Sequence, residues 1–251
     1  MADPGSDLFV GTSGFSYDDW KGVLYPDGLP RNRWLEHYAA RFRALEANVS
    51  FYRLPNAKLV QSWVRRAPPG FRIAFKMHRA ATHFRRLVCP GAAASAQSLL
   101  ERIEPLGAHL GPVLLQVPPN LHRDLSRLDT FLNELPSDFR YALEVRHPSW
   151  WEDPDRLRDT LARHRVAWVR AHSTTLETPP LNPTDFTYYR FHGTAGFAYG
   201  QYRDALRPFA EEMAGDLARG RTVWAFFNNT MGGDGVADAQ RLRAWLEPDR
   251  G

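Results

Sequence analysis

Eight short apolar segments alternate with amphipathic, helix-like segments along 251 residues, and this alternation predicts an α/β fold, a single (β/α)8 barrel of the TIM type. Two further observations point the same way. A chain of about 250 residues is the usual size of one such barrel. Five of the strand-like segments also carry two polar residues spaced by two near their C-terminal ends, where barrels of this kind build their sites.

The strand-like segments are LFVGTS (8–13), ALEANVSFY (44–52), RIAFKMH (72–78), PVLLQVP (112–118), YALEVRH (141–147), VAWVRAHS (166–173), FTYYRFHG (186–193) and TVWAFFNN (222–229). Each is short and rich in β-branched or aromatic residues. In the second, Leu45, Ala47 and Val49 alternate with Glu46, Asn48 and Ser50, as a half-buried strand would.

The helix-like segments follow in turn. RNRWLEHYAARF places Trp34, Leu35, Tyr38 and Phe42 on one face. NAKLVQSWVRRAP begins on an Asn cap and stops at Pro68. SAQSLLERIEPLGAHL comes next, then DLSRLDTFLNELP with Asp124 as its cap and DPDRLRDTLARHR with Pro154 in its first turn. ALRPFAEEMAGDLARG ends at Gly220, and ADAQRLRAWLEP closes the series. Caps, early proline and terminal glycine are the expected helix punctuation. TTLETPPLNPTD, between the sixth and seventh strands, holds too many prolines for a helix, so an irregular crossover is expected there.

A doubly wound open sheet is the alternative. It lacks its fingerprint, because GTSGFS after the first strand is not a GxGxxG turn. Walker A, HExxH and CxxC motifs, repeats and low-complexity linkers are all missing, so one domain over residues 1–251 is expected.

Composition supports a large core, with 43% apolar residues, 8 Trp and 15 Phe. The single cysteine, Cys89, excludes an internal disulfide framework and fits a reducing compartment. MADPGSDLFVGTSG has neither a basic leader nor a long apolar run, and no window reaches the roughly 20 apolar residues of a membrane span. A cytoplasmic protein without a membrane partner is the expectation. Net charge is +4, a mild excess without a basic block and weak support for a nucleic-acid surface. Only three lysines occur, Lys21, Lys58 and Lys76, so 29 of the 32 basic residues are Arg. A bias towards arginine codons is the plainer cause of that, ahead of an evolved nucleic-acid surface.

Successive strand residues point to opposite faces, and one face of a barrel is its lumen. The pairs Glu46/Asn48, Lys76/His78, Glu144/Arg146, Arg170/His172 and Arg190/His192 each share a face. Their neighbours, such as Leu45, Phe75, Val145, Val169, Ala171 and Phe191, are then expected against the helices. Asn228 and Asn229 add amides after the eighth strand. A buried charge network that only neutralises itself is the plainer reading of any one pair. Five pairs converging on one mouth favour a pocket, because each buried ion costs several kcal/mol of desolvation that an apolar layer would avoid.

Two carboxylates, Glu46 and Glu144, then face four cations, Lys76, Arg146, Arg170 and Arg190. That sum favours a small phosphate or carboxylate held by guanidinium groups over a metal site. No metal and no cofactor are expected. Lys76 has three open roles: Schiff-base amine, electrostatic clamp, or plain counter-ion to Glu46. The two glutamates permit acid/base work of the glycosidase type. His83 and His147 lie on loops beyond strand ends and are proton shuttles or ordinary surface histidines. Tyr17, Trp20, Tyr52 and Trp150 either wall the pocket or pack under the loops.

The segments GTSGFSYDDWKGVLYP, LEANVSFYRLP, FRIAFKMHRAATH, GPVLLQVPPN, ALEVRHPSWW, YYRFHG and FFNNTMGGDGVADA together resemble the YecE-like family, the domain of unknown function numbered 72. The resemblance runs in order from Phe9 to Leu246 and implies a TIM-type barrel. It also implies that Glu46, Asn48, Tyr52, Lys76, His83, Glu144, Arg146, Trp150, Arg190, His192, Gly193 and Asn228 belong to the family pattern. It implies no activity. One departure is Ala171-His172-Ser173, where relatives usually read Ala-Asp-Ser. His172 either replaces that acid as a base or marks an altered site.

The leading expectation is an enzyme on a small anionic substrate, phosphate- or carboxylate-bearing, with a phosphorylated or acidic sugar as one example. Glu46, Glu144, Lys76 and His192 would carry the chemistry, and Asn48, Tyr52, His83, Arg146, Trp150, Arg190 and Asn228 would bind. Nucleic-acid processing, in the manner of the barrel of endonuclease IV, is the second reading and would bring a metal cluster. A ligand-binding protein without catalysis is the third. The oligomeric state stays open.

Overall fold

A computed structural model describes residues 8–196 and 198–247. The single-domain expectation over 1–251 and the leader reading extend onto residues 1–7, 197 and 248–251, which lie outside the described residues.

Eight parallel strands close into a barrel in sequence order. They are β1 (Leu8–Ser13), β2 (Ala44–Ala47), β3 (Arg72–Lys76), β4 (Leu110–Gln116), β5 (Tyr141–Glu144), β6 (Val166–His172), β7 (Phe186–Phe191) and β8 (Thr222–Phe227). β1 pairs with β8 over Leu8↔Val223 to Thr12↔Phe227, and this closes the ring. The helices are α1 (Trp34–Ala39), α2 (Val49–Tyr52), α3 (Ala57–Arg66), α4 (Gly91–Ile103), α5 (Leu125–Asn133), α6 (Pro154–Arg163), α7 (Arg207–Ala218) and α8 (Asp234–Leu246).

The helix starts follow the sequence signals. Asn56, Asp124 and Asp153 accept from the backbone N–H groups of Leu59, Arg127 and Arg156, and Pro154 opens α6. Trp34, Leu35, Tyr38 and Phe42 are buried together. Between β6 and β7 the described residues hold no helix, as the prolines require.

Two layers of apolar side chains build the core. The larger lies between strands and helices and takes Leu45, Phe75, Leu143, Tyr189 and Phe227 from the outer strand faces. The smaller fills the lumen. There Phe9 and Trp224 stack at 4.2 Å between ring centres. Ala44, Ala74, Ala142, Ala167 and Ala171 pack there with Leu114, Val169, Tyr188 and Phe226.

Three expectations about strands change. The second strand stops at Ala47 and turns into α2, because Ser50 Oγ donates to the carbonyls of Ala47 and Lys76 and folds the chain over β3. β3, β5 and β7 end at Lys76, Glu144 and Phe191, so His78, Arg146 and His192 lie just beyond their strands. The largest correction concerns β6. Val169 and Ala171 face the lumen, and Arg170 and His172 face outwards. Arg170 pairs with Glu177 and with Glu212 of α7, and His172 packs on Tyr202 and Phe209. The cause is the missing helix. With only a loop after β6, its outer face meets polar groups, so polarity there does not mark the lumen.

Gly11 is a close-approach position, since a methyl group there would overlap the Ala44 carbonyl oxygen across the β1–β2 pair. Gly11→Ala is expected to destabilise the fold by about 3 kcal/mol or more, read as a lower urea midpoint. An unchanged midpoint would show that the two strands can part without penalty.

Candidate functional site

The C-terminal ends of the strands bring Ser13, Glu46, Lys76, Glu144, Tyr188 and Arg190 into one polar layer above the apolar lumen. Arg190 lies at its centre, 1% exposed, with Glu46 and Glu144 both fully buried. Its Nε and Nη2 donate to the two Glu46 oxygens at 3.0 and 2.7 Å. Its Nη1 donates to Glu144 Oε2. The inward-facing alanines let a guanidinium on β7 reach carboxylates on β2 and β5.

The remaining lone pairs are also engaged. Ser13 Oγ and Tyr188 Oη each donate to Glu46 at 2.7 Å. Arg146 donates to Glu144 Oε1 through Nε at 2.9 Å and pairs through Nη2 at 2.8 Å. Burial alone would raise both carboxyl pKa values. Arg190 overcomes this for Glu46, with help from the Ser13 and Tyr188 hydroxyls, and holds it below the usual carboxylate range. Arg190, Arg146 and His192 hold Glu144 well below that range. Facing two anions, the Arg190 guanidinium has its pKa raised despite its burial.

This geometry corrects the reading of Glu46 and Glu144 as the acid/base pair. Both are held ionised with all four oxygens taken by donors, the arrangement of counter-ions to Arg190 and Arg146. Arg190 as an anion clamp is corrected for the same reason: its donors point at Glu46 and Glu144. Arg170 leaves the mouth altogether, so three cations face two carboxylates there.

His192 is 1% exposed. Its Nδ1 lies 3.1 Å from the Asn228 amide nitrogen, which must donate, so the ring proton sits on Nε2, 3.5 Å from Glu144 Oε1. Burial lowers the His192 pKa against the pull of Glu144. Asn228 therefore orients His192. Asn229 points the other way, to Asp238 and the Gly200 carbonyl. Directly after His192 the chain swings through Gly193 at φ +109°, where a side chain would strike the Tyr199 carbonyl oxygen.

Lys76 differs from its neighbours. It ends β3 on the lumen face, and its Nζ lies 4.0 Å from the centre of the Phe51 ring. Among the described residues it has no carboxylate within ion-pair distance. Burial first, then the charge of Arg190, lowers its pKa to about 8 against the pull of Glu144 and Glu46. His83, on a single π-helical turn over Ala80–Phe84, is edge-on to Phe51. Burial and the charges of Lys76 and Arg146 bring it to about 4, so it is neutral near pH 7. Asn48 follows β2 directly and, with helical backbone at φ −83° and ψ −10°, opens α2. Its Oδ1 is buried without a hydrogen-bond partner among the described residues. Tyr52 is exposed at the rim.

Trp150 is corrected from pocket wall to core: it is 1% exposed and its indole N–H donates to the Leu121 carbonyl. Trp20 is equally buried and donates to Thr230. His147 stacks on His122 at 3.8 Å. His172, outside the mouth, does not stand where a replacement base would act. Ser13, Tyr188 and Phe51 were not singled out in the sequence. Tyr188 was reachable, because it lies two residues before Arg190 on the same strand face. Among the described residues, no group of three or more His, Cys, Asp or Glu is arranged to hold a metal ion, and no helix is long and apolar enough to cross a membrane.

A closed eight-stranded parallel barrel with its charged layer at the C-terminal strand ends defines a TIM-type barrel protein. More particularly, the chain belongs to the DUF72 family: the family model described as "Protein of unknown function DUF72" matches residues 9–250. It is 34% identical to UPF0759 protein YecE of Escherichia coli over 146 residues, which is 57% of this chain and 50% of that protein. The chain thus spans about half the length of that curated relative. It is 22% identical to UPF0759 protein YunF of Bacillus subtilis over 96% of this chain and 95% of that one. A DUF72 family protein of Thermotoga maritima has a similar structure, with a TM-score of 0.85 and 28% identity over 96% of this chain and 99% of that chain.

Two variants test the layer. Arg190→Met strands two buried carboxylates and is expected to cost about 3–5 kcal/mol or abolish folding. Adding Glu46→Gln and Glu144→Gln to it should restore a folded protein. Failure of that triple variant to recover stability would mean the layer is held by more than its charges.

Lys76→Met should raise stability near pH 7 by about 1–3 kcal/mol, since a pKa lowered from 10.5 to about 8 reports a disfavoured buried charge. The sign follows from proton uptake: between about pH 8 and 10.5 the unfolded chain holds the Lys76 proton and the folded chain does not. Wild type therefore gains stability across that window, and its gap to Lys76→Met narrows. Urea titrations at pH 7 and 10 read both effects. A variant less stable than wild type at pH 7 refutes them.

Proposed function

We propose that this chain is an acid–base enzyme acting on a small phosphate- or carboxylate-bearing substrate, such as an acidic or phosphorylated sugar, at the C-terminal mouth of the barrel. The observation that carries the reading is Lys76, an ammonium group at the mouth with an aromatic ring beneath it and no ion-pair partner among the described residues. Glu46 and Glu144 are balanced by Arg190 and Arg146, so the Lys76 ammonium is the excess positive charge of the mouth and attracts an anion. A pKa of about 8 leaves the same amine close to the balance point at which it can take or return a proton. The acid/base task first assigned to Glu46 and Glu144 passes to Lys76, with neutral His83 beside it. Asn48 Oδ1, a buried acceptor lacking a donor, suits a substrate hydroxyl; leaving it unmet costs about 1–3 kcal/mol.

A second reading, single-stranded nucleic acid, has one observation in its favour. Arg79 lies against the exposed rings of Tyr52 and Phe84, 5.7 and 5.2 Å from their centres, which is a stacking platform at the rim. It involves the rim and leaves the Lys76 position without a task.

Phosphate or sulfate is expected to raise the melting temperature above a matched chloride control. Full occupancy at a hundredfold excess over the dissociation constant corresponds to about 2.7 kcal/mol. Lys76→Met should remove the shift, whereas Arg79→Ala should leave it. Tight binding of single-stranded DNA at physiological salt that depends on Arg79, with no phosphate response, would replace this reading by the second.

A further inference from the structure

The mouth contains one primary amine, and its surroundings differ from those of the other two lysines. Lys21 and Lys58 are exposed, and Lys21 pairs with Asp18 at 2.9 Å. Lys76 projects from the end of β3 over Phe51. The groups around it are Glu46 on β2, Glu144 and Arg146 at the end of β5, Arg190 and His192 at the end of β7, and His83 after β3. The two carboxylates among them are engaged by Arg190 and Arg146, so no anion stabilises the Lys76 ammonium directly. His83 and His192 are neutral near pH 7 and do not lower the local positive charge.

Building on the anion-binding reading, we propose that Lys76 is a covalent nucleophile that forms a Schiff base with an aldehyde or ketone bearing a carboxylate or phosphate. The neutral amine adds to the carbonyl carbon and gives a carbinolamine. The carbinolamine oxygen leaves as water, taking up both amine hydrogens in the net reaction, and a C=N bond remains. No oxidant, reductant or second substrate is needed. The substrate's anion meets the positive field of the Lys76–Arg146 side of the mouth, and a hydroxyl next to the carbonyl suits the buried Asn48 Oδ1. A lowered lysine pKa in a site with other cations is the usual way such an amine is made reactive at neutral pH. Once the imine forms, the protonated nitrogen withdraws electrons from the adjacent carbon, which is the chemistry of carbon–carbon cleavage, condensation or proton exchange next to a carbonyl.

The test is reductive trapping on the full chain near pH 7. The protein is treated with glyoxylate, a carboxylated aldehyde, or with neutral propionaldehyde, each with cyanoborohydride, and the three lysines are mapped by mass spectrometry. Lys21 and Lys58 serve as internal references, so no variant has to fold. The expected result is glyoxylate adduct on Lys76 at least tenfold above either reference lysine, suppressed by excess phosphate, with little propionaldehyde adduct there. Glyoxylate labelling of Lys76 at or below the level of Lys21 and Lys58 overturns the covalent role, while a Lys76-dependent phosphate shift would leave the anion site standing. Preferential labelling of Lys76 by both aldehydes alike, unaffected by phosphate, would support the reactive amine and overturn the anion-binding reading on which its substrate class rests.

Discussion

Arg190, held between Glu46 and Glu144, is the interaction on which the upper half of this barrel depends. A guanidinium and two carboxylates removed from water would each cost several kcal/mol if left alone. Here every charged atom has a partner: Glu46 takes two arginine donors and two hydroxyls, and Glu144 takes Arg190 and Arg146. Three strands distant from one another around the ring, β2, β5 and β7, are tied through one side chain. Small residues on the lumen face, Ala74 of β3 and Ala171 beside Arg190 among them, leave room for that reach.

The character of Lys76 follows from that arrangement. Arg190 and Arg146 occupy both carboxylates, and among the described residues neither carboxylate lies within ion-pair distance of Lys76. With both engaged, the lysine meets Phe51 below and cations beside it, and its pKa falls to about 8. The paired charges of the layer are thus fixed, and the adjustable proton sits beside them on Lys76. A stable ionic network and a reactive amine are two results of one distribution of partners.

The absence of a helix between β6 and β7 has the second widest effect. It leaves the outer face of β6 to the loop and to α7, whose Glu177 and Glu212 take Arg170, while the small residues Val169 and Ala171 turn inwards. The same strand therefore supplies room inside and an ion pair outside. Membership of the DUF72 family and the likeness to a Thermotoga maritima relative agree with this frame and leave the chemistry to the side chains of the mouth.

The sequence by itself determined the barrel, its eight strands, the helix caps at Asn56 and Asp124, the opening proline Pro154, and the absent crossover helix. Those features depend on local periodicity, capping and proline content, which a linear reading contains. It also brought Glu46, Lys76, Glu144, Arg146, Arg190 and His192 to one end of the barrel, because strand parity is local too. Tertiary structure alone decided which charge meets which. Whether Glu46 faces Lys76 or Arg190 depends on reach across the lumen, and that depends on small residues contributed by other strands. The inversion of β6 was hidden for a related reason: its outer neighbours come from α7 and from a loop, so the usual equation of polar with inward fails there. Trp150 and Asn228 looked like ligand contacts because they follow strand ends. Their partners, the Leu121 carbonyl and His192, are set by packing over long sequence separations that no residue pattern encodes.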